Sequence, residues 1–258
     1  MRSNSGEPLP RFTIGLIVVY AVLLLLEAFV SRHSFSLLLD SLGELCAANM
    51  PTDSCDPGLP FNLALNQPSV GAMAALGGNI RFLSIADGQW WRLLTSTLLH
   101  GGITHLGFNA LATWNIGGQL EPRAGWRAIL ATFALTGLFA SLTSVLVNSR
   151  EIIGIGASGA IFGMLGFVVV WGVSSVPQFV QQIQRNFIML LVVVGSSAII
   201  PGVDNVAHIG GLVAGLILGF VWERLPESVK TVLGVSSGVA LLAATGMVVL
   251  SAFPLMIR

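Results

Sequence analysis

Charged side chains are scarce in this 258-residue chain: Asp, Glu, Lys and Arg make up 9% of it, against about 25% in soluble domains. That scarcity excludes a soluble globular enzyme and a solvated disordered chain. Basic and acidic residues balance at twelve each, and Lys230 is the only lysine, so the chain has no cationic excess for reading nucleic-acid phosphates. Cysteine is limited to Cys46 and Cys55, and tyrosine to Tyr20. What fills the chain instead is apolar. Hydrophobic residues make up 54% and the mean hydropathy is +0.83. The chain reads as a polytopic membrane protein.

A membrane-crossing helix needs roughly 20 mostly apolar residues. Seven stretches meet that measure: 13–30, 103–118, 126–147, 158–175, 187–201, 206–222 and 231–253. The fold class is therefore all-α, a polytopic membrane helical bundle. A short tail (1–12) precedes a six-helix core (13–222) that includes a long first loop (31–102), and a further helix follows at 231–253. Residues 152–157 are uncharged but too glycine-rich for helix, and read as a loop entering the membrane under cover of protein.

Arginine and lysine in short loops set orientation. With the N-terminus inside, the cytoplasmic side holds Arg2, Arg11, Arg123, Arg127, Arg185, Arg224 and Lys230, the larger share. The expectation is an N-terminus inside, a C-terminus outside, and Trp126 and Trp222 at the cytoplasmic interface. The first apolar run lacks a small-x-small cleavage site and reads as an uncleaved signal-anchor. Cys46 and Cys55 both fall in the outer first loop, where a disulfide and two free thiols are both open.

Polar residues inside a membrane are costly and mark function. Those toward the outer side are Glu27, His100, His105, Asn109, Ser158 and His208. Glu27, near the end of the first span, reads as an interfacial carboxylate able to snorkel. The second, fourth and sixth spans all run inward, so their starts bring His105, Asn109, Ser158 and His208 to one depth. His105 and Asn109, at i and i+4, share a helix face. Ser158 opens its span within Gly156-Ala157-Ser158-Gly159, where it can be a helix cap or a hydroxyl exposed beside free backbone N–H donors. Gly211, Gly215 and Gly219 follow His208 on its own face, and Gly159 and Gly163 repeat the spacing beside Ser158. Such small-residue faces let two membrane helices approach closely and carry a base toward a serine that needs one. Asp204, one turn before His208, reads as an exposed loop residue more readily than as its orienting partner.

These residues resemble the rhomboid intramembrane serine proteases over roughly residues 75–218. Trp91-Arg92 resembles the family's Trp-Arg motif, and His100 with His105 and Asn109 its second-helix element. Gly156-Ala157-Ser158-Gly159 is similar to its G-x-S-G, and Ala207-His208 through Gly211 and Gly215 to its sixth-helix motif. The resemblance implies a Ser158–His208 dyad, with His105 and Asn109 stabilising the oxyanion and Phe162 packing on the His208 ring. It implies the six-plus-one helix form, and single-pass transmembrane substrates cut near the extracytoplasmic surface, with small side chains at the cut. No cofactor, metal or nucleic-acid partner is implied. A bacterial inner membrane suits the chain. A non-catalytic client-binding protein or transporter is the alternative, since polar residues at one depth and glycine-broken helices also describe transporters.

Overall fold

The computed structural model describes residues 9–33, 61–62, 67–148, 153–175 and 203–256. The expected fifth span (187–201), Cys46 and Cys55 lie outside the described residues. The elements are α1 (Arg11–His33), the strand pair β1 (Phe61–Asn62) and β2 (Gln67–Pro68), α2 (Val70–Ala75), a π turn (Phe82–Ala86), α3 (Arg92–Thr95), α4 (Ile103–Val147), α5 (Ser158–Ser175), α6 (Asn205–Trp222) and α7 (Glu227–Met256). The result is an all-α polytopic bundle whose long helices are apolar enough to cross a membrane.

At 45 residues α4 is too long for one span, and Gly125 divides it. Its φ of 84° and ψ of 167° break the helix between a first arm and a second, a backbone state open to glycine. The two arms are the expected second and third spans. α1 and α7 each extend past the expected ends, and the first turn of each finds partners on α4.

Those partners are specific. Glu121 is buried at the end of the first arm. Its carboxylate accepts the N–H groups of Phe12 (3.0 Å) and Thr13 (2.8 Å), and the Thr13 hydroxyl at 2.7 Å. First-turn N–H groups have no partner within their own helix, so a carboxylate from another helix caps α1. At the start of α7, Glu227 pairs with Arg127 at 2.9 Å, while Gly234 lies so close that a methyl there would sit 2.8 Å from the Arg127 Cα. Trp126, expected at the cytoplasmic interface, is half-exposed and stacked on Phe12. Trp222, expected at the same interface, is buried edge-on against Phe167, because α6 turns this face to α5.

α5 and α6 touch through backbone. A methyl at Gly211 would lie 2.0 Å from the Gly159 carbonyl oxygen, one at Gly215 1.9 Å from that of Gly163, and one at Gly219 2.5 Å from that of Phe167. No other residue fits this seam, which is the close approach the glycine spacing predicts. The second arm of α4 closes the other side of α5: Thr136 fills the space a side chain at Gly163 would need, and its hydroxyl donates to its own helix at Thr132 O (2.6 Å).

The first loop is held by polar contacts to backbone. Arg92 is buried, and its guanidinium donates to Ala74 O (2.6 Å), Gly78 O (3.0 Å) and Gln89 Oε1 (2.7 Å). It also lies 4.7 Å over the Trp91 ring. Burial, partly opposed by Asp87, pulls its pKa down to about 10, which keeps it charged at neutral pH. Trp91 packs where a side chain at Gly77 (φ 113°) would otherwise stand. Thus the Trp91-Arg92 pair shapes the loop rather than reaching the dyad.

Candidate active site

Ser158 is the first residue of α5, and the chain enters it through an extended segment. Asn79 and Gly154 form an isolated antiparallel bridge, the Gly156 N–H donates to Ser96 O at 2.8 Å, and Gly156 takes a φ of 112°. The first loop therefore fixes the approach to Ser158, and the positive φ turns the chain into the helix.

His208 lies in the first turn of α6, buried. Its Nε2 is 2.8 Å from the Ser158 hydroxyl oxygen. Phe162, one turn beyond the serine, stacks on the imidazole with centroids 4.4 Å apart and planes 9° from parallel. The glycine seam places the two helices, and the stack fixes the ring. Its Nδ1 is buried without a hydrogen-bond partner, so among the described residues no carboxylate completes a triad there.

Asp204 differs from its expected exposed state. It is half-buried and caps α6, accepting Ala207 N–H at 3.0 Å. It also accepts the Ser144 hydroxyl and Asn148 Nδ2 at 3.2 Å. Its role is to tie the end of α4 to the start of α6, which sets the depth of His208.

His105 and Asn109 project from the first turns of α4 toward Gly156. A methyl at Gly156 would meet His105 Nε2 at 2.7 Å and Asn109 Nδ2 at 3.6 Å. The Gly101 N–H donates to His105 Nδ1 at 3.2 Å, so Nδ1 is the acceptor and the proton resides on Nε2, the nitrogen facing the site. The Asn109 amide donates to His105 O at 3.1 Å, which identifies its nitrogen and aims it the same way. Two donors thus converge on Gly156, two residues before the serine. With the first-turn N–H groups of α5, they form a pocket able to hold a negatively charged oxygen.

His100 and Glu27 stand behind that pocket. The His100 ring is fully buried between Tyr20 (centroids 4.9 Å) and His105 (5.3 Å, edge-on). Glu27 is not interfacial: it is fully buried, and its Oε2 accepts the His100 N–H at 3.2 Å. The sequence marked the carboxylate as unusual but not its partner, a backbone group 73 residues away. Asn79, whose amide donates to Ser141 O at 3.1 Å and accepts the Ser84 hydroxyl at 2.6 Å, carried no signal in the sequence.

Comparison with known proteins bears on the family of the chain. Residues 87–224 match the family model of the rhomboid domain. The chain is 33% identical to RHOMBOID-like protein 5 of Arabidopsis thaliana across 81% of its own length and 65% of that protein's. It is 39% identical to rhomboid protease GluP of Bacillus subtilis over 60% of itself and 31% of GluP. With rhomboid protease AarA of Providencia stuartii it shares 33% identity over 60% of the chain and 63% of the relative. The chain spans about a third to two thirds of the length of these relatives. Carrying the rhomboid domain over more than half its length, and with the polar groups of the family's motifs gathered at one end of the bundle, the chain belongs to the rhomboid family.

Proposed function

We propose that the protein is an intramembrane serine endopeptidase working through a Ser158–His208 dyad. The observation that carries this reading is the 2.8 Å contact between Ser158 Oγ and His208 Nε2, held across two helices that meet through glycine. A serine hydroxyl is a weak nucleophile until a base within hydrogen-bond reach takes its proton, and this pair meets that condition without a ligand.

In the proposed reaction Ser158 Oγ attacks the carbonyl carbon of a peptide bond while its proton passes to His208 Nε2. The carbonyl oxygen gains the negative charge, and His105 Nε2–H and Asn109 Nδ2–H donate to it. Collapse of this intermediate breaks the C–N bond, and His208 returns the proton to the leaving amine. Water then enters and attacks the acyl carbon while His208 Nε2 takes its proton. Collapse breaks the bond from that carbon to Ser158 Oγ, the carboxylic acid leaves, and His208 returns the proton to Ser158 Oγ. Phe162 keeps the imidazole in plane throughout. Serine activation without a carboxylate partner has precedents, in keeping with a His208 Nδ1 that has no hydrogen-bond partner among the described residues.

The proposed substrates are single-pass transmembrane proteins whose helix unwinds near the extracytoplasmic surface, with small residues at the cut, because a stable helix hides its peptide bonds. The proposed topology has the N-terminus in the cytoplasm and the C-terminus outside, in a bacterial inner membrane. Support for a protease comes from the likeness to the rhomboid proteases GluP and AarA, and support for the dyad from its geometry.

The test is labelling by a fluorophosphonate in a mild detergent, together with cleavage of a model transmembrane substrate. The wild type is expected to label and cleave, and both Ser158→Ala and His208→Ala to do neither. Undiminished cleavage by folded Ser158→Ala would sink the dyad, and a folded wild type that neither labels nor cleaves would favour a binding or transport protein.

A further inference from the structure

Glu27 is a carboxylate inside a lipid-spanning protein, fully buried, with Oε1 lacking a hydrogen-bond partner among the described residues. Burying such a group is expensive. The dyad does not use it, and no cation neutralises it among the ion pairs of the described residues. Its one hydrogen bond among the described residues is to the backbone of the segment that precedes α4.

That segment has a particular arrangement. His100 and Gly101 present consecutive N–H groups. The first donates to Glu27 Oε2 at 3.2 Å, and the second to His105 Nδ1 at 3.2 Å. Gly102 follows with a φ of 122°, and α4 begins at Ile103. The His100 ring is wedged between Tyr20 and His105, and its Nδ1 lies 3.2 Å from Leu98 O. A carbonyl only accepts, so that nitrogen carries the proton. The peptide plane whose N–H reaches His105 is therefore set on one side by α1 and on the other by the His100 ring.

We infer that Glu27 is a positioning residue for the oxyanion pocket: by holding the His100 N–H it sets the Gly101 N–H that fixes His105 with its proton on Nε2, facing Ser158. The inference rests on the protease reading for its kinetic consequence, but not for its statement about the His105 tautomer. Were the Gly101 N–H free to turn away, His105 Nδ1 would lose its donor. The proton could then sit on either nitrogen, and the form protonated on Nδ1 presents a lone pair to a developing negative charge. This arrangement is a support outside the pocket that decides whether a pocket group donates at all.

The experiment compares Glu27→Gln, which keeps an acceptor for His100, with Glu27→Met, which removes it at similar volume. For Glu27→Met we expect kcat lower by about 10- to 100-fold, the range for a misplaced catalytic group, with KM within about twofold because no substrate contact is lost. Glu27→Gln should restore kcat to within about threefold of the wild type. In parallel, 15N spectra of ring-labelled histidine read the tautomer. Wild type and Glu27→Gln should show His105 protonated on Nε2, and Glu27→Met a mixture. Wild-type kcat in Glu27→Met, or His105 protonated on Nδ1 in the wild type, overturns the inference. So does a loss of cleavage in Glu27→Met with an unchanged His105 spectrum, which is what a merely structural carboxylate would give. If Glu27→Met does not fold, the wild-type and Glu27→Gln spectra still decide the tautomer. If the wild type cleaves nothing, the protease reading fails, and the spectra judge this inference separately.

Discussion

Replacing Gly211 by alanine adds one methyl at the α5–α6 seam and should disable the dyad without touching either member. The added carbon would stand 2.0 Å from the Gly159 carbonyl oxygen and 2.9 Å from its carbon, both backbone atoms. Real β-carbons essentially never come within 3.0 Å of such a neighbour, and a helix backbone cannot swing aside as a side chain can. α6 must therefore withdraw from α5 by at least about 1 Å. Gly159 is the residue after Ser158, and Gly211 lies one turn beyond His208, so the withdrawal carries directly to the catalytic pair. A contact of 2.8 Å becomes one near 3.8 Å, longer than any useful hydrogen bond. A displacement of that size costs about 100-fold in rate. Cleavage of a model transmembrane substrate in detergent, normalised to folded protein, measures it. Gly246→Ala on α7, where nothing lies within 4 Å, is the matched control and should cleave like the wild type. If folded Gly211→Ala cleaves at the wild-type rate, the reasoning from seam to dyad is wrong.

Two further outcomes follow from the carboxylates. Asp204→Asn keeps an acceptor for the Ala207 N–H and should cleave near the wild-type rate, whereas Asp204→Ala loses the cap at a cost of about 1 kcal/mol in stability. A collapse of kcat in folded Asp204→Asn would instead argue for a charge acting on His208. Glu121→Leu strands the N–H groups of Phe12 and Thr13 and the Thr13 hydroxyl, with a cost of about 1–3 kcal/mol for each buried group left unpaired. The expected result is a lower Tm with kcat of the folded fraction unchanged; an unchanged Tm contradicts the capping role.

What the sequence made legible was whatever depends on local pattern. Apolar length found each long helix, and 158–175 matched α5 to the residue because glycine and serine mark its start. The spacing of Gly211, Gly215 and Gly219 from His208 was readable because helical period is a local property, and it correctly brought α6 onto α5. Pairings between a side chain and distant backbone were not readable. Glu27 and Glu121 serve N–H groups 73 and 109 residues away in the chain, and a backbone N–H has no residue type to announce it. Asp204 was misread for the same reason, since Ser144 and Asn148 come near it only after α4 and α6 pack. The interior of the first loop was equally silent, because Arg92 binds carbonyls that every residue possesses.

The two buried carboxylates also bear on how the protein meets lipid. Glu121 grips α1 at its first turn, and Glu27 grips the chain ahead of α4 from six residues before the other end of α1. A single helix commonly meets a bilayer of the wrong thickness by tilting. Fastened near both ends to α4 and the segment that leads into it, α1 has no independent tilt to give. In a thinner or thicker membrane the lipid must deform around it, at fractions of a kcal/mol per Å of mismatch, and the protein's membrane preference is thereby written into the same contacts that order its interior.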